Sequence, residues 1–469
     1  MKILLLFPNY LQHFFPIPSS FQQSLGLAMI AAMLKQSGHE VHVIDATAER
    51  LNILRLQKRV EAINPAVIGI TANISFAKKA SLTARWLKTR NPGCKIIFGG
   101  PWPTIDYEYL LNRSAADVVV IGEGEYTIVD LVNAIENGLP LNDVEGIAFK
   151  ENGVVIKTER RAFIENLDDL PFPAWELFPS PRKYFNHTLG RRFYPISTSR
   201  GCPMGCIYCS KMVHGTRIRT RSIESIINEL KYLKERFNFD EIIIVDDNFN
   251  HDIERAERIC DAIAQLDFKI KMTFNNGVRA DKMTPRLAWK MKQAGAGEIA
   301  LGIESGNQDV VNRIGKGLDL KAVEHAARIL KKLNIFTGGF FMVGLPFDNA
   351  KTIVDTKRFA LKLDLDVSNF FRVLPFPGTK LYEIVQDQGT FLIDIRENLN
   401  FYNYMTPVFE IGDLNQDLVE NALKDMIRSY YLRFSKIFSL LRKARLNDLK
   451  WYINGIFIVV HDILKKNKR

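Results

Sequence analysis

Apolar residues fall in short runs along the first 142 residues. Residues 3–7, 41–45, 67–71, 95–98 and 118–121 are brief, rich in Val, Ile and Leu, and bounded by Gly, Pro or charged residues. Runs of that length and composition predict buried strands. Between them, 24–37, 76–90 and 126–137 have helical length and spacing, with Ser24 placed to cap the first and Gly38 to end it. Strands alternating with helices predict a parallel sheet covered on both faces. Ligands of such sheets sit beyond the carboxyl ends of the strands.

A second alternating series follows. Strand-like runs at 193–198, 241–245, 269–275, 298–302, 336–343 and 367–373 are separated by helical stretches at 222–237, 253–266, 284–294, 320–333 and 349–363. These make six βα units, a barrel-type pattern whose functional residues gather at strand carboxyl ends. The fold class is therefore α/β, in four parts: a doubly wound sheet (1–142), a linker (143–192), a partial barrel (193–385) and a helical C-terminal region (386–469). The linker holds a hairpin signature, two β-rich runs flanking Glu151-Asn-Gly153. A proline-rich stretch, Asp168-Asp-Leu-Pro-Phe-Pro-Ala-Trp-Glu176, follows as a spacer.

Size and composition agree with this division. At 469 residues the chain has room for two to four domains. With 47% hydrophobic and 25% charged residues it is an ordinary globular protein. The net charge of +11 invites a nucleic-acid partner, but its location argues otherwise. Residues 429–469 hold ten Lys or Arg and two Asp, so they account for +8, leaving +3 for everything before them. A nucleic-acid-binding body would spread its basic residues over a working face, so no nucleic acid is expected.

The tail has two readings. Residues 434–446 form a basic amphipathic helix, and 451–460 are uncharged with Trp451 and Tyr452 at their start. The segment either lies in an anionic membrane interface or packs as a helical hairpin on the barrel with a solvated basic end. Phe401-Tyr-Asn-Tyr-Met405 and a helix over 414–432 are placed to cap the barrel opening. The opening run at 1–10 lacks the length and cleavage site expected of a secretory leader, and no uncharged run approaches about 20 residues. The expectation is a reducing, cytoplasmic location, with the tail as the candidate for peripheral contact at the inner membrane face.

In that compartment a cysteine cluster signals metal or redox chemistry rather than disulfides. Of five cysteines, three fall in Ser199-Arg-Gly-Cys202-Pro-Met-Gly-Cys206-Ile-Tyr-Cys209, directly after a strand. Three thiolates on one compact loop suit a [4Fe–4S] cluster with one iron left open, because all-cysteine clusters use four. Zinc, with His214 as a fourth ligand, is the competing reading, but structural zinc sites prefer paired spacings. Cys94 and Cys260 have no spaced partners and read as inert thiols. The loops after the first strands, Thr71-Ala-Asn-Ile-Ser75, Gly99-Gly-Pro-Trp-Pro-Thr104 and Gly122-Glu-Gly-Glu125, let a ligand approach the backbone. None completes a phosphate-binding fingerprint, so plain glycine turns stay open as an alternative.

The Cys-x3-Cys-x2-Cys spacing with Tyr208 before the last cysteine resembles the radical S-adenosylmethionine (SAM) superfamily. Leu25–Leu34, Gly38-His-Glu-Val41, Asp45 and the glycine loops resemble the cobalamin-binding-type (Rossmann-like) domain that precedes many of its members. The resemblance covers residues 1 to about 385. It implies a partial (β/α)6 TIM-type barrel. It implies SAM chelating the open iron of a cluster on Cys202, Cys206 and Cys209, and cleavage to a 5′-deoxyadenosyl radical fed by an external flavodoxin- or ferredoxin-type electron donor. It places Tyr208, Asp246 or Asp247, Arg279, Glu304 and Ser305 at SAM. Thr71, Ser75, Gly99, Gly100, Gly122 and Glu123 fall at cobalamin.

Departures matter. The Asp-x-His-x-x-Gly motif is absent, so cobalamin would be held without a protein histidine on cobalt, or the domain would be a relic that binds nothing. Asp246-Asp247 stands where Gly-Gly-Glu is common, and Phe347 replaces a usual glycine in Gly344-Leu-Pro-Phe-Asp348. The missing second cysteine group argues against the related tRNA methylthiotransferases. The implied reaction is methyl transfer to an unactivated carbon of a small-molecule or lipid-like substrate. Radical cyclisation, rearrangement or oxidation is the alternative, and a non-catalytic metal-bound module attached to a membrane is the rival from another class.

Overall fold

The computed structural model describes residues 1–10, 21–184, 192–398 and 407–443. The sequence runs expected as strands and helices form them. In chain order the first part is β1 (Lys2–Phe7), α1 (Leu25–Gln36), β2 (Glu40–Asp45), α2 (Ile53–Ile63), β3 (Val67–Thr71), α3 (Ala77–Arg90), β4 (Lys95–Gly99), α4 (Pro101–Ile105), α5 (Tyr107–Arg113), β5 (Val118–Val120), α6 (Glu125–Asn137), β6 (Ile147–Glu151) and β7 (Val154–Lys157). Ser24 caps α1 by accepting from the Leu27 N–H. The helices α2, α4 and α5 go beyond the sequence expectation.

The seven strands make one sheet in the order β2-β1-β3-β4-β5-β6-β7. β1 to β5 pair in parallel. The hairpin β6–β7, expected in the linker, instead extends this sheet: β6 pairs antiparallel with β5, Val119 opposite Ala148. An unpaired β5 edge would leave backbone groups without partners, and the hairpin supplies them. The first structural unit therefore runs past residue 142, to β7.

The second part begins with β8 (Phe193–Ile196), β9 (Ser199–Arg200), β10 (Arg219–Thr220), α7 (Ile223–Phe237), β11 (Glu241–Ile244), α8 (Ile253–Ala264), β12 (Lys271–Val278), α9 (Pro285–Gln293), β13 (Ala296–Glu304), α10 (Gln308–Arg313) and α11 (Leu320–Lys332). It continues with β14 (Phe336–Val343), α12 (Ala350–Leu363), β15 (Val367–Arg372), α13 (Lys380–Gln388), β16 (Gly389–Phe391), α14 (Ile395–Asn398), β17 (Phe409–Ile411), α15 (Gln416–Tyr431) and α16 (Phe434–Lys443). Six parallel strands in the order β8-β11-β12-β13-β14-β15 form the partial barrel. Its core reaches across to Ala28 of the first unit and Trp175 of the spacer. The Gln23 side chain donates to the Phe193 carbonyl at 2.8 Å, and Trp175 of the spacer packs on Tyr194 at 5.5 Å.

α15 closes the outer face of β14 and β15, where Tyr430 meets Phe370 at 5.8 Å and the Tyr431 hydroxyl donates to the Ser368 carbonyl at 2.8 Å. The stretches 401–405, 451–460 and 465–469 lie outside the described residues. Among the described residues no helix is long and apolar enough to cross a membrane.

Candidate functional site

The antiparallel pair β9–β10 brackets the cysteine loop, Arg200 opposite Arg219 and Ser199 opposite Thr220. The loop turns so sharply that Gly201 has φ +92°, and a Cβ there would stand 2.2 Å from the Arg217 carbonyl oxygen. Only glycine fits one residue ahead of Cys202. Among the described residues, no three His, Cys, Asp or Glu side chains converge closely enough to share one metal ion. His214 Nδ1 lies 2.9 Å from Asp247 Oδ2, which orients the ring. A cluster fits better, because each cysteine then ligates a different iron. Burial, together with Cys206 and Cys202, pushes the Cys209 thiol up to about 11.

The neighbours of this loop come from strand carboxyl ends. The Asn248 side-chain amide, just beyond β11, donates to Cys202 Sγ at 3.9 Å, and its Oδ1 is buried without a partner among the described residues. Burial, Glu304 and Cys206 push the Tyr208 hydroxyl well above its ordinary range. Lys316 Nζ donates to Glu304 Oε1 at 2.6 Å and reaches the Tyr208 hydroxyl at 3.5 Å. Tyr208 and Glu304 are thus brought together through a lysine.

The other residues expected at SAM separate into those that face open space and those held by the protein. Asp247 faces the interdomain cavity and accepts from the Gly201 N–H at 2.9 Å. Burial works to raise it, but His214 and the Gly201 N–H outweigh that and hold it below the ordinary carboxylate range. Asp246 is turned inward. It accepts from the Thr198 N–H, the Thr198 hydroxyl and the Ser199 hydroxyl at 2.6, 2.5 and 2.7 Å, and burial pushes its carboxyl up. Its lone pairs are spent on the backbone ahead of the cysteine loop, so it stands as a scaffold. Ser305 is fully buried and bonds Thr356 at 3.1 Å. Arg279 donates to the Lys316 and Gly317 carbonyls at 2.9 and 2.7 Å and to Asp281 at 2.9 Å. It therefore shapes the loop that carries Lys316.

The first unit brings its loops to the same place. Thr71, Gly99, Gly100, Gly122 and Glu123 line a cavity of about 550 Å³ together with Cys202, Cys209, His214 and Asp247. Gly100 has φ +107°, and a Cβ there would stand 2.9 Å from the Ala72 carbonyl oxygen and 3.0 Å from the Thr71 hydroxyl. The wall is therefore bare backbone, which suits close approach of a large flat ligand. Ser75 does not join it and sits in a short turn with its N–H given to Asn73. The Glu123 carboxylate is consumed by protein groups: Arg200 at 2.9 Å, Arg219 at 2.7 Å and the Ile164 N–H at 2.8 Å. Burial works to raise it, but the two arginines win and hold it below the ordinary range. Arg200, Arg219, Asn248 and Lys316 escaped the sequence reading. The one available signal was Arg200, inside the cysteine motif itself.

Residues 20–132 match the B12 binding domain family and residues 196–360 match the Radical SAM superfamily. An uncharacterized methyltransferase of Pyrococcus horikoshii is 32% identical over 437 residues, covering 92% of this chain and 93% of that protein. The anaerobic magnesium-protoporphyrin IX monomethyl ester cyclase of Rubrivivax gelatinosus is 26% identical over 92% of this chain and 77% of its own. The structure of OxsB, a cobalamin-dependent SAM radical enzyme solved with aqua-cobalamin and SAM bound, superposes with a TM-score of 0.66 at 22% identity. That match covers 82% of this chain and 55% of OxsB, and it speaks to the fold. With both halves matched and a full-length relative above 30% identity, the chain belongs to the radical SAM enzymes that carry a B12 binding domain, whose cofactors are a [4Fe–4S] cluster, SAM and cobalamin.

Proposed function

We propose that the chain transfers a methyl group derived from SAM to an unactivated carbon of a small-molecule or lipid-like substrate held between its two halves. The observation that carries this reading is the shared cavity, onto which the glycine loops of the first sheet and the cysteine loop of the barrel both open. When bound, the cluster and SAM supply a hydrogen-abstracting radical, and cobalamin supplies the methyl group. The chain's own residues hold and shield. Thr71, Gly99, Gly100 and Gly122 offer the bare wall to cobalamin. Tyr208, Lys316 with Glu304, and Asp247 stand around the SAM position. Leu25, Ile30, Ile70, Val120, Val213 and Val245 make the rest of the cavity largely apolar, which excludes water from a reactive centre and suits a substrate with little charge.

The relative of Pyrococcus horikoshii is a methyltransferase by name, which supports this reading. The cyclase relative favours a second one, radical oxidation or ring closure without methyl transfer. One experiment separates them. The anaerobically reconstituted enzyme is incubated with SAM labelled in its methyl group, a one-electron reductant and cell extract fractions. Label in a product carbon supports methyl transfer. A product of changed mass without label supports the second reading. No SAM cleavage at all overturns both. The reading also calls for an external electron donor of flavodoxin or ferredoxin type, and it places the basic tail against an anionic membrane surface.

A further inference from the structure

Four charged side chains meet where the two halves of the chain join. Glu123 comes from the loop ahead of α6, Glu125 from its first residue, Arg200 from β9 and Arg219 from β10. Arg200 donates to Glu123 at 2.9 Å and to Glu125 at 2.5 Å. Arg219 donates to Glu123 at 2.7 Å, to the Ile164 carbonyl at 2.6 Å and to the His214 carbonyl at 2.8 Å. No side chain of the four is more than 11% exposed. The Phe163 ring lies under the Arg219 guanidinium at 4.9 Å.

Stability alone does not account for such a group. Desolvating four charges is costly, and well-packed apolar residues in their place are often as stable or more so. Direction is what charges add here. A planar guanidinium bonding two carboxylates fixes distance and angle together. The places joined are specific. Arg200 lies two residues before Cys202, Arg219 closes the cysteine loop, and Glu123 follows Gly122, which lines the bare wall of the first unit.

We infer that Glu123, Glu125, Arg200 and Arg219 are positioning residues that lock the cysteine loop to the glycine loop. The lock sets the separation between the group held by the barrel and the group held by the first sheet. This rests on the reading that both groups bind. It goes beyond that reading by assigning the geometry between them to four residues whose charged ends are spent mainly on one another.

The test uses the full chain with both groups loaded, reduced so that cluster and cobalt each carry an unpaired electron. Pulsed electron paramagnetic resonance then reads the spin–spin separation. One narrow distribution is expected for the wild type. Glu123→Gln and Arg200→Met, at unchanged iron and cobalt content, should broaden it about twofold, with Arg200→Lys intermediate because a lysine keeps the charge but loses the fork. A purely structural role would lower the melting temperature and leave the distribution unchanged, and that result overturns the inference. Where Glu123→Gln does not fold, Glu125→Gln removes one arm and leaves the three bonds of Glu123, and an unchanged distribution there overturns the inference equally. A wild type that takes up iron but no cobalt would overturn the underlying reading instead, and the lock with it.

Discussion

The Asn248 amide reaches the Cys202 sulfur at 3.9 Å while its own side-chain oxygen is buried with no partner among the described residues. A buried, half-satisfied amide is costly, so its orientation toward the sulfur is the informative half. An N–H donated to a cluster sulfur stabilises the reduced, more negative state and raises the potential. Asn248→Leu should therefore make the cluster potential more negative by on the order of 50 mV. An anaerobic redox titration of the reconstituted protein measures this, and an unmoved potential means that the contact does not serve the cluster.

The five cysteines divide by environment. Replacing Cys202, Cys206 or Cys209 with Ala should abolish stable iron and sulfide incorporation and, with it, SAM cleavage. Cys94 and Cys260 are buried, with burial pushing their thiols up to about 11 and about 12. Each is packed in a hydrophobic core and neither belongs to the 202–209 loop, so neither shares its cluster. Cys260→Ala should keep full iron content and cost about 1 kcal/mol of stability, as for other small losses of buried volume. Loss of iron in Cys260→Ala would show that the division is wrong.

Asp348 makes a pH prediction. Its carboxylate accepts from the Gly344 and Leu345 N–H groups at 3.2 and 3.0 Å and from the Thr352 hydroxyl at 2.9 Å. These bonds shape the loop in which Phe347 lies 3.9 Å under the Arg313 guanidinium. Burial nevertheless pushes the carboxyl up from 3.8 to about 6. Below the lower value the group is protonated in both states and costs nothing. Between the two values the unfolded chain ionises first, which favours unfolding, and above about 6 the cost is complete. A shift of this size corresponds to about 2–3 kcal/mol. Asp348→Asn does not titrate, so its melting temperature relative to wild type should be higher by a few degrees at pH 8 than at pH 4. An equal difference at both pH values would contradict this.

Much of the architecture was legible because strands and helices announce themselves over five to fifteen residues. What escaped was set by distant partners. The hairpin β6–β7 read as a linker because its pairing edge, β5, lies far back in the chain. Asp246 and Asp247 are adjacent at a strand end, and only the fold decides that one turns inward to Thr198 and the other faces the cavity. Glu123 meets Arg200 and Arg219 across 77 and 96 residues. Ser305 finds Thr356 across 51, and Arg279 finds the Lys316 carbonyl across 37. Motif position located these residues, but which of them bind a cofactor and which hold the scaffold depends on pairings that no local pattern encodes.

The last described helix inverts the usual arrangement. α16 buries Lys436, whose ammonium donates to the Leu365 carbonyl at 2.6 Å and pairs with Asp364 at 2.9 Å. It exposes Phe434 at 92% and Phe438 at 70%, one turn apart, with Arg442 one further turn along the same stripe. Exposed aromatics beside basic residues suit an anionic lipid interface, where the rings enter the headgroup boundary and the cations meet phosphate. The full chain should therefore float with anionic vesicles at low salt, less so at high salt where the charges are screened, and least with neutral vesicles. Phe434→Ser with Phe438→Ser should weaken flotation about tenfold, taking roughly 0.7 kcal/mol for each ring that leaves the interface, well under full burial. Removing 444–469 tests the remaining basic charge separately. A cut at 429 would also strip Tyr430 from Phe370 and confuse loss of binding with loss of fold. Equal flotation of the wild type and the double variant would leave the membrane without a role for this helix.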